Sequence, residues 1–150
     1  MNSLKSILLA EDNELDVEMT MRALAAHNLA NEVQIVRDGA EALDYLHCRA
    51  QWAERTPGHP LLILLDNKMP KMSGLDVLEH VRKDDQLRRI PIVMLTSSRE
   101  EGDLLRSYDL GVNAYVVKPV DFREFVGAMK QLSLFWALIN TPPPGSARPR

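Results

Sequence analysis

Five short apolar runs, "SILLA", "EVQIV", "LLILL", "IPIVMLT" and "AYVVK", are spaced along the chain with helical patterns between them. An unbroken run such as Leu61 to Leu65 fits a strand buried on both faces, as in a parallel sheet covered by helices. Between the runs, Val17, Met21 and Leu24 keep helical spacing, as do Leu43 and Leu46, then Leu75, Leu78 and Val81. Leu104 and Leu105 mark a fourth helical stretch, which Gly111 is placed to end as a C′ residue. The fifth helix starts at "DFRE", where Asp121 and Glu124 have the spacing of a capping box. This alternation predicts an α/β fold, a doubly wound five-stranded parallel sheet with five helices on its two faces. "CRAQWAERTPGHP", before the third run, is long for such a connection and reads as a loop, with a helix extension or a docking surface as alternatives.

The ends of the runs carry the chemistry. In "LLILLDNKMP" the aliphatic run stops on Asp66, which on this stretch alone is either a turn residue or a functional carboxylate. The first run ends in Glu11 and Asp12, the fourth in Thr96, and the fifth in Lys118 and Pro119. In a parallel sheet these ends share one edge, so carboxylates, a hydroxyl and an ammonium converge there. Crowded carboxylates raise one another's pKa unless a cation neutralises them. Mg²⁺ suits the role, because it takes one or two carboxylates and keeps several waters. A phosphoryl group completes the set, with a carboxylate as nucleophile.

The pieces "ILLAEDN", "LLILLDNKMPKMSGLDVL", "IPIVMLTSS" and "GVNAYVVKPV" resemble, in order and spacing, the receiver domains of two-component response regulators. The resemblance covers about residues 5–135. It implies a flavodoxin-like sheet of order 2-1-3-4-5 and makes Asp66 the phosphoacceptor. Asp12 becomes a direct Mg²⁺ ligand, Glu11 a partner through water, and the backbone carbonyl of Lys68 the remaining protein ligand beside Asp66. Thr96 and Lys118 contact the phosphoryl oxygens, Pro119 follows a cis peptide bond, and Tyr115 is the switch aromatic paired with Thr96. Within the family the chain is most similar to the small regulators of bacterial phytochromes, through the long connection, "SYDLGVNAYVVK" and "FW". That implies a phytochrome-type sensor histidine kinase as phosphoryl donor. Lys68 departs from the family pattern, and its ammonium could compete with the metal or delay attack of water on the phosphorylated state.

The remaining features bound the reading. The net charge of -3 gives no reason to expect nucleic acid or an anionic membrane as partner. No apolar stretch reaches eighteen residues, and the N-terminus lacks a cleavable signal. Cys48 is the single cysteine, which favours a reducing cytoplasm. Residues 1–140 read as one receiver domain and 141–150, rich in Pro, Gly and Arg, as a disordered tail. His27, His47, His59 and His80 show no metal-ligand spacing, Met19, Met21, Met94 and Met129 read as core fillers, and Arg82 reads as part of a solvated face. The expected function is a stand-alone phosphorylatable switch rather than an enzyme, with onward phosphorelay as an alternative output. A haloacid-dehalogenase-type Mg²⁺ phosphatase is the competing enzyme, but it wants an Asp where Lys68 stands. Nothing after the last helix could form a DNA-binding motif. In that helix Leu134, Phe135 and Leu138 fall on the side that is polar earlier, which predicts a homodimer through the last helix and fifth strand.

Overall fold

The computed structural model describes residues 6–25, 32–96, 108–118 and 120–132. Strands β1 (Ile7–Ala10), β2 (Val33–Val36), β3 (Leu62–Asp66), β4 (Ile92–Thr96) and β5 (Ala114–Val117) form one sheet in the order β2-β1-β3-β4-β5. Every neighbouring pair is parallel. Helices α1 (Glu14–Ala25), α2 (Gly39–Leu46), α3 (Gly74–Lys83) and α4 (Phe122–Gln131) cover it. These are the four α-helices among the described residues; the stretch around Leu104 and Leu105, expected to be another, lies outside them. Gly111 has φ +93° and its N–H bonds the Tyr108 carbonyl at 3.0 Å, as a helix-ending glycine does.

The strands are apolar throughout because both faces are covered, and the two-residue period of a strand sorts their side chains. Leu8, Ala10, Ile63, Leu65, Ile92 and Met94 point to the face packed by α2 and α3. Ile7, Leu9, Leu62, Leu64, Val93 and Leu95 point to the face packed by α1 and α4. Met94 and Met129 are fully buried as expected, whereas Met19 is exposed on α1. Side-chain caps start the helices: Asp38 accepts from the Glu41 N–H at 2.8 Å and Ser73 from the Asp76 N–H at 3.2 Å. Asp121 accepts from the Glu124 N–H at 3.1 Å, while the Glu124 carboxylate accepts from the Val117 N–H at 3.4 Å, tying α4 to β5.

The long connection before β3 is built around a cation. After a 3-10 turn at Ala50–Trp52, Arg55 lies 4.0 Å over the Tyr45 ring and donates to the carbonyls of Tyr45, Thr56 and Gly58. Arg82 departs from its expected solvated place. Its half-buried guanidinium donates to the carbonyls of Gly111, Arg88 and Ile90 and to Asn113 Oδ1, at 2.8 to 3.0 Å. Asn113 Oδ1 also accepts from the Ile92 N–H at 2.8 Å, so one fork joins α3, the start of β4 and the approach to β5. A lysine has a point charge rather than a planar fork and cannot serve all four acceptors. Arg82→Lys is therefore expected to lower unfolding stability by about 1–3 kcal/mol in urea titrations, and an unchanged midpoint would refute the role given to this fork.

Candidate functional site

The register aligns Ala10 with Leu65, Asp66 with Leu95 and Thr96 with Val117, so Glu11, Asp66, Thr96 and Lys118 reach the same carboxyl edge. This edge includes the point between β1 and β3 where strand order reverses, the usual ligand crevice of such sheets. The two-residue period then divides the residues. Glu11, Asp66 and Lys118 continue the parity of Leu9, Leu64 and Val116, toward α1. Thr96 continues the parity of Ile92 and Met94, the face on which Tyr115 packs. Tyr115 lies opposite Met94, one strand over and two residues back from Thr96, with its ring 5.5 Å from that of Tyr108.

Gly74 sets how closely α3 approaches the site. Its N–H bonds the Asn67 carbonyl at 2.9 Å, and a Cβ there would collide with the Asp66 carbonyl. The "MSGLDVL" start of α3 is thereby seated on the backbone that presents the carboxylate.

Lys118 is the electrostatic centre. Its Nζ lies 2.8 Å from Asp16 Oδ2, 3.1 Å from Glu11 Oε1 and 3.2 Å from Asp66 Oδ1. Glu11 is 0% exposed, Asp66 4%, and the Lys118 side chain 9%. Burial alone would lower the Lys118 pKa, but bonds to Asp16 and Glu11 and the charge of Asp66 outweigh it and hold the ammonium above its ordinary value. Glu11 is pushed up to about 7, first by burial and then by the charge of Asp66 and a side-chain hydrogen bond with it. The Asn13 N–H, 3.2 Å from Glu11 Oε2, and Lys118 pull the other way without prevailing.

The donor set suits a hard cation. Carboxylate oxygens of Glu11, Asp12 and Asp66 lie within 4.8 Å of one another, and Asp12 faces solvent, where a metal could keep its waters. A single ammonium faces these three groups and Asp16. Lys68 is exposed on the loop after β3, and the ammonium against Glu11 and Asp66 is that of Lys118. Pro119 and the expected dimer residues Leu134, Phe135 and Leu138 lie outside the described residues.

Asp16 was not foreseen. In sequence it is one of several acids opening α1, a pattern that helix-dipole stabilisation explains by itself. His80 is exposed as expected of these histidines, yet the fold brings its Nε2 to 3.1 Å from that of His47, thirty-three residues earlier.

The family model of the response regulator receiver domain matches residues 7–130. The response regulator Rcp1 of Synechocystis sp. is 35% identical over 142 residues, 95% of each chain. The chain is similar to the solved bacteriophytochrome response regulator RtBRR, at 58% identity and TM-score 0.84 over 95% of this chain and 86% of that one. It is also similar to the Mn²⁺-bound form of Rcp1, at 35% identity and TM-score 0.73 over 93% of this chain and 99% of that one.

The raised Glu11 pKa carries a sign. Folding favours protonated Glu11, so this contribution to stability is full below about pH 4.5 and is lost as pH rises through about 7. In metal-free buffer Glu11→Gln is expected to gain on wild type by on the order of 1–3 kcal/mol across that window. Denaturation curves at several pH values test this, and a stability difference independent of pH would contradict it.

Proposed function

The chain belongs to the family of response regulator receiver domains, and on that premise we propose that it takes a phosphoryl group from a bacteriophytochrome-type sensor histidine kinase onto Asp66. The observation that carries the reading is Asp66 at the end of β3, 4% exposed, with Lys118 Nζ 3.2 Å from Oδ1 and Glu11 and Asp12 close by. The likeness to RtBRR supports the phytochrome-type donor. One carboxylate oxygen of Asp66 attacks phosphorus, the bond from phosphorus to the donor histidine nitrogen breaks, and an acyl phosphate forms. Asp12, Asp66 and the Lys68 carbonyl would hold Mg²⁺, with Glu11 acting through water, and the ion would supply further neutralisation of the phosphoryl oxygens. Lys118 turns from the Asp66 oxygen to a phosphoryl oxygen while keeping Asp16.

Thr96 donates its hydroxyl to another phosphoryl oxygen, and the Tyr115 ring moves into the space that the hydroxyl leaves. Their shared sheet face supports this coupling. The output is a changed affinity for protein partners, and the domain turns over no external substrate. A dehalogenase-type phosphatase loses ground because Lys68 stands where its general acid should be. The lone thiol Cys48 supports action in the cytoplasm, and no helix among the described residues is long and apolar enough to cross a membrane.

Beryllofluoride with Mg²⁺ is expected to shift amide signals at Asp66 and at Tyr115 in wild type. Asp66→Ala should show neither shift, and Thr96→Ala only the local one. Phosphoryl labelling that survives in Asp66→Ala would overturn the assignment.

The reading extends to a homodimer through the last helix and β5, supported by the apolar sequence "LSLFWALI" and by β5 being an edge strand. Sedimentation of wild type is expected to show dimers that a Leu134/Phe135/Leu138 triple Ser variant does not form. A wild type that stays monomeric at roughly 100 μM, well above a micromolar Kd, removes the dimer.

A further inference from the structure

Two groups of potential metal ligands exist among the described residues. One is the acidic cluster at the carboxyl edge. The other, His47, His80 and Asp84, lies at the carboxyl ends of α2 and α3, beside the opposite edge of the sheet. We propose that His47 Nε2, His80 Nε2 and Asp84 Oδ2 form a binding site for a divalent transition metal of the zinc class, which joins α2 to α3.

The geometry is close to that of a bound ion. The two Nε2 atoms lie 3.1 Å apart, and His47 Nε2 lies 3.8 Å from Asp84 Oδ2. Two imidazoles on one tetrahedral ion, with metal–nitrogen bonds of about 2.0–2.1 Å, hold their nitrogens about 3.3 Å apart. The donor atoms lie within 4.8 Å of one another, so small side-chain rotations bring them onto one centre.

Asp84 is held by structure that leaves its second carboxylate oxygen aimed at His47. Asp84 caps the turn after α3: its Oδ1 accepts from the N–H groups of Gln86 and Leu87 at 2.8 and 3.1 Å, which directs Oδ2 toward His47. His80 and Asp84 are four residues apart, one turn along the same face. His47 is the C-cap of α2, its N–H bonding the Leu43 carbonyl at 2.9 Å. The rings meet edge to face with centroids 5.3 Å apart.

Metal entry balances without an outside reagent. In the neutral pair one ring donates its Nε2 proton to the other's Nε2 lone pair. When the ion binds, the donor ring carries its proton on Nδ1 instead, so both Nε2 lone pairs are free and no net proton is released. Imidazole nitrogens select zinc-class ions over Mg²⁺. Water would fill the remaining positions, and His47 also borders a cleft of about 340 Å³.

Co²⁺ reports coordination through its visible absorption and its effect on imidazole proton resonances. It is titrated into metal-stripped full-length protein with excess Mg²⁺ present to occupy the acidic cluster. Wild type is expected to bind one equivalent with changes at the His47 and His80 rings. His80→Gln and Asp84→Asn should weaken binding at least about tenfold, and Asp12→Ala should leave the imidazole changes intact. His80 is solvent-exposed, so its variant keeps the fold, with circular dichroism as the check. Imidazole resonances that do not move, Co²⁺ affinity in His80→Gln equal to wild type, or binding lost only in Asp12→Ala would each overturn the site.

Discussion

An ammonium set among three carboxylates governs the carboxyl edge of this molecule. Glu11 follows β1 and Asp66 ends the adjacent β3, Asp16 comes from α1, and Lys118 reaches them from the end of β5, beyond β4. Removing the ammonium would leave two buried acids facing each other, a costly arrangement in a poorly hydrated place. The cluster also ties β5 to the centre of the sheet through charge, in addition to the β4 ladder. Its residual negative charge makes it receptive to cations and to a group that brings one.

The fold could be read from the runs because a doubly covered parallel strand has no polar side to disguise it. The polar residues ending those runs were equally legible, since a carboxylate or lysine directly after a buried strand is costly without a partner. Asp16 was hidden because acids at a helix start have an ordinary reason to be there. Arg82 was hidden because its acceptors are mostly backbone carbonyls, which carry no sequence signature, with Asn113 thirty-one residues away. His47 and His80 are thirty-three residues apart, and only the packing of α2 against α3 makes them neighbours.

Gly74 couples this edge to the helical layer. Because α3 begins in contact with the Asp66 carbonyl, the backbone presenting the carboxylate and the first turn of α3 cannot shift independently. Ser73 and Asp76 close that first turn, so the rigidity extends into the helix.

The alternation of side chains along the strands makes the sheet a partition. Glu11, Asp66 and Lys118 fall on the α1 side, and Thr96 with Tyr115 on the other. A substitution deletes one group, but a one-residue deletion at the start of β4 would change the frame of the strand beyond it. The Thr96 hydroxyl would cross to the side of Lys118, and Met94 would exchange sides with Leu95. Composition and hydrophobicity would hardly change, yet the hydroxyl would no longer share a compartment with the aromatic ring. Length inside the strands is therefore constrained more tightly than residue identity, and evolutionary insertions have their room in connections such as the one around Arg55.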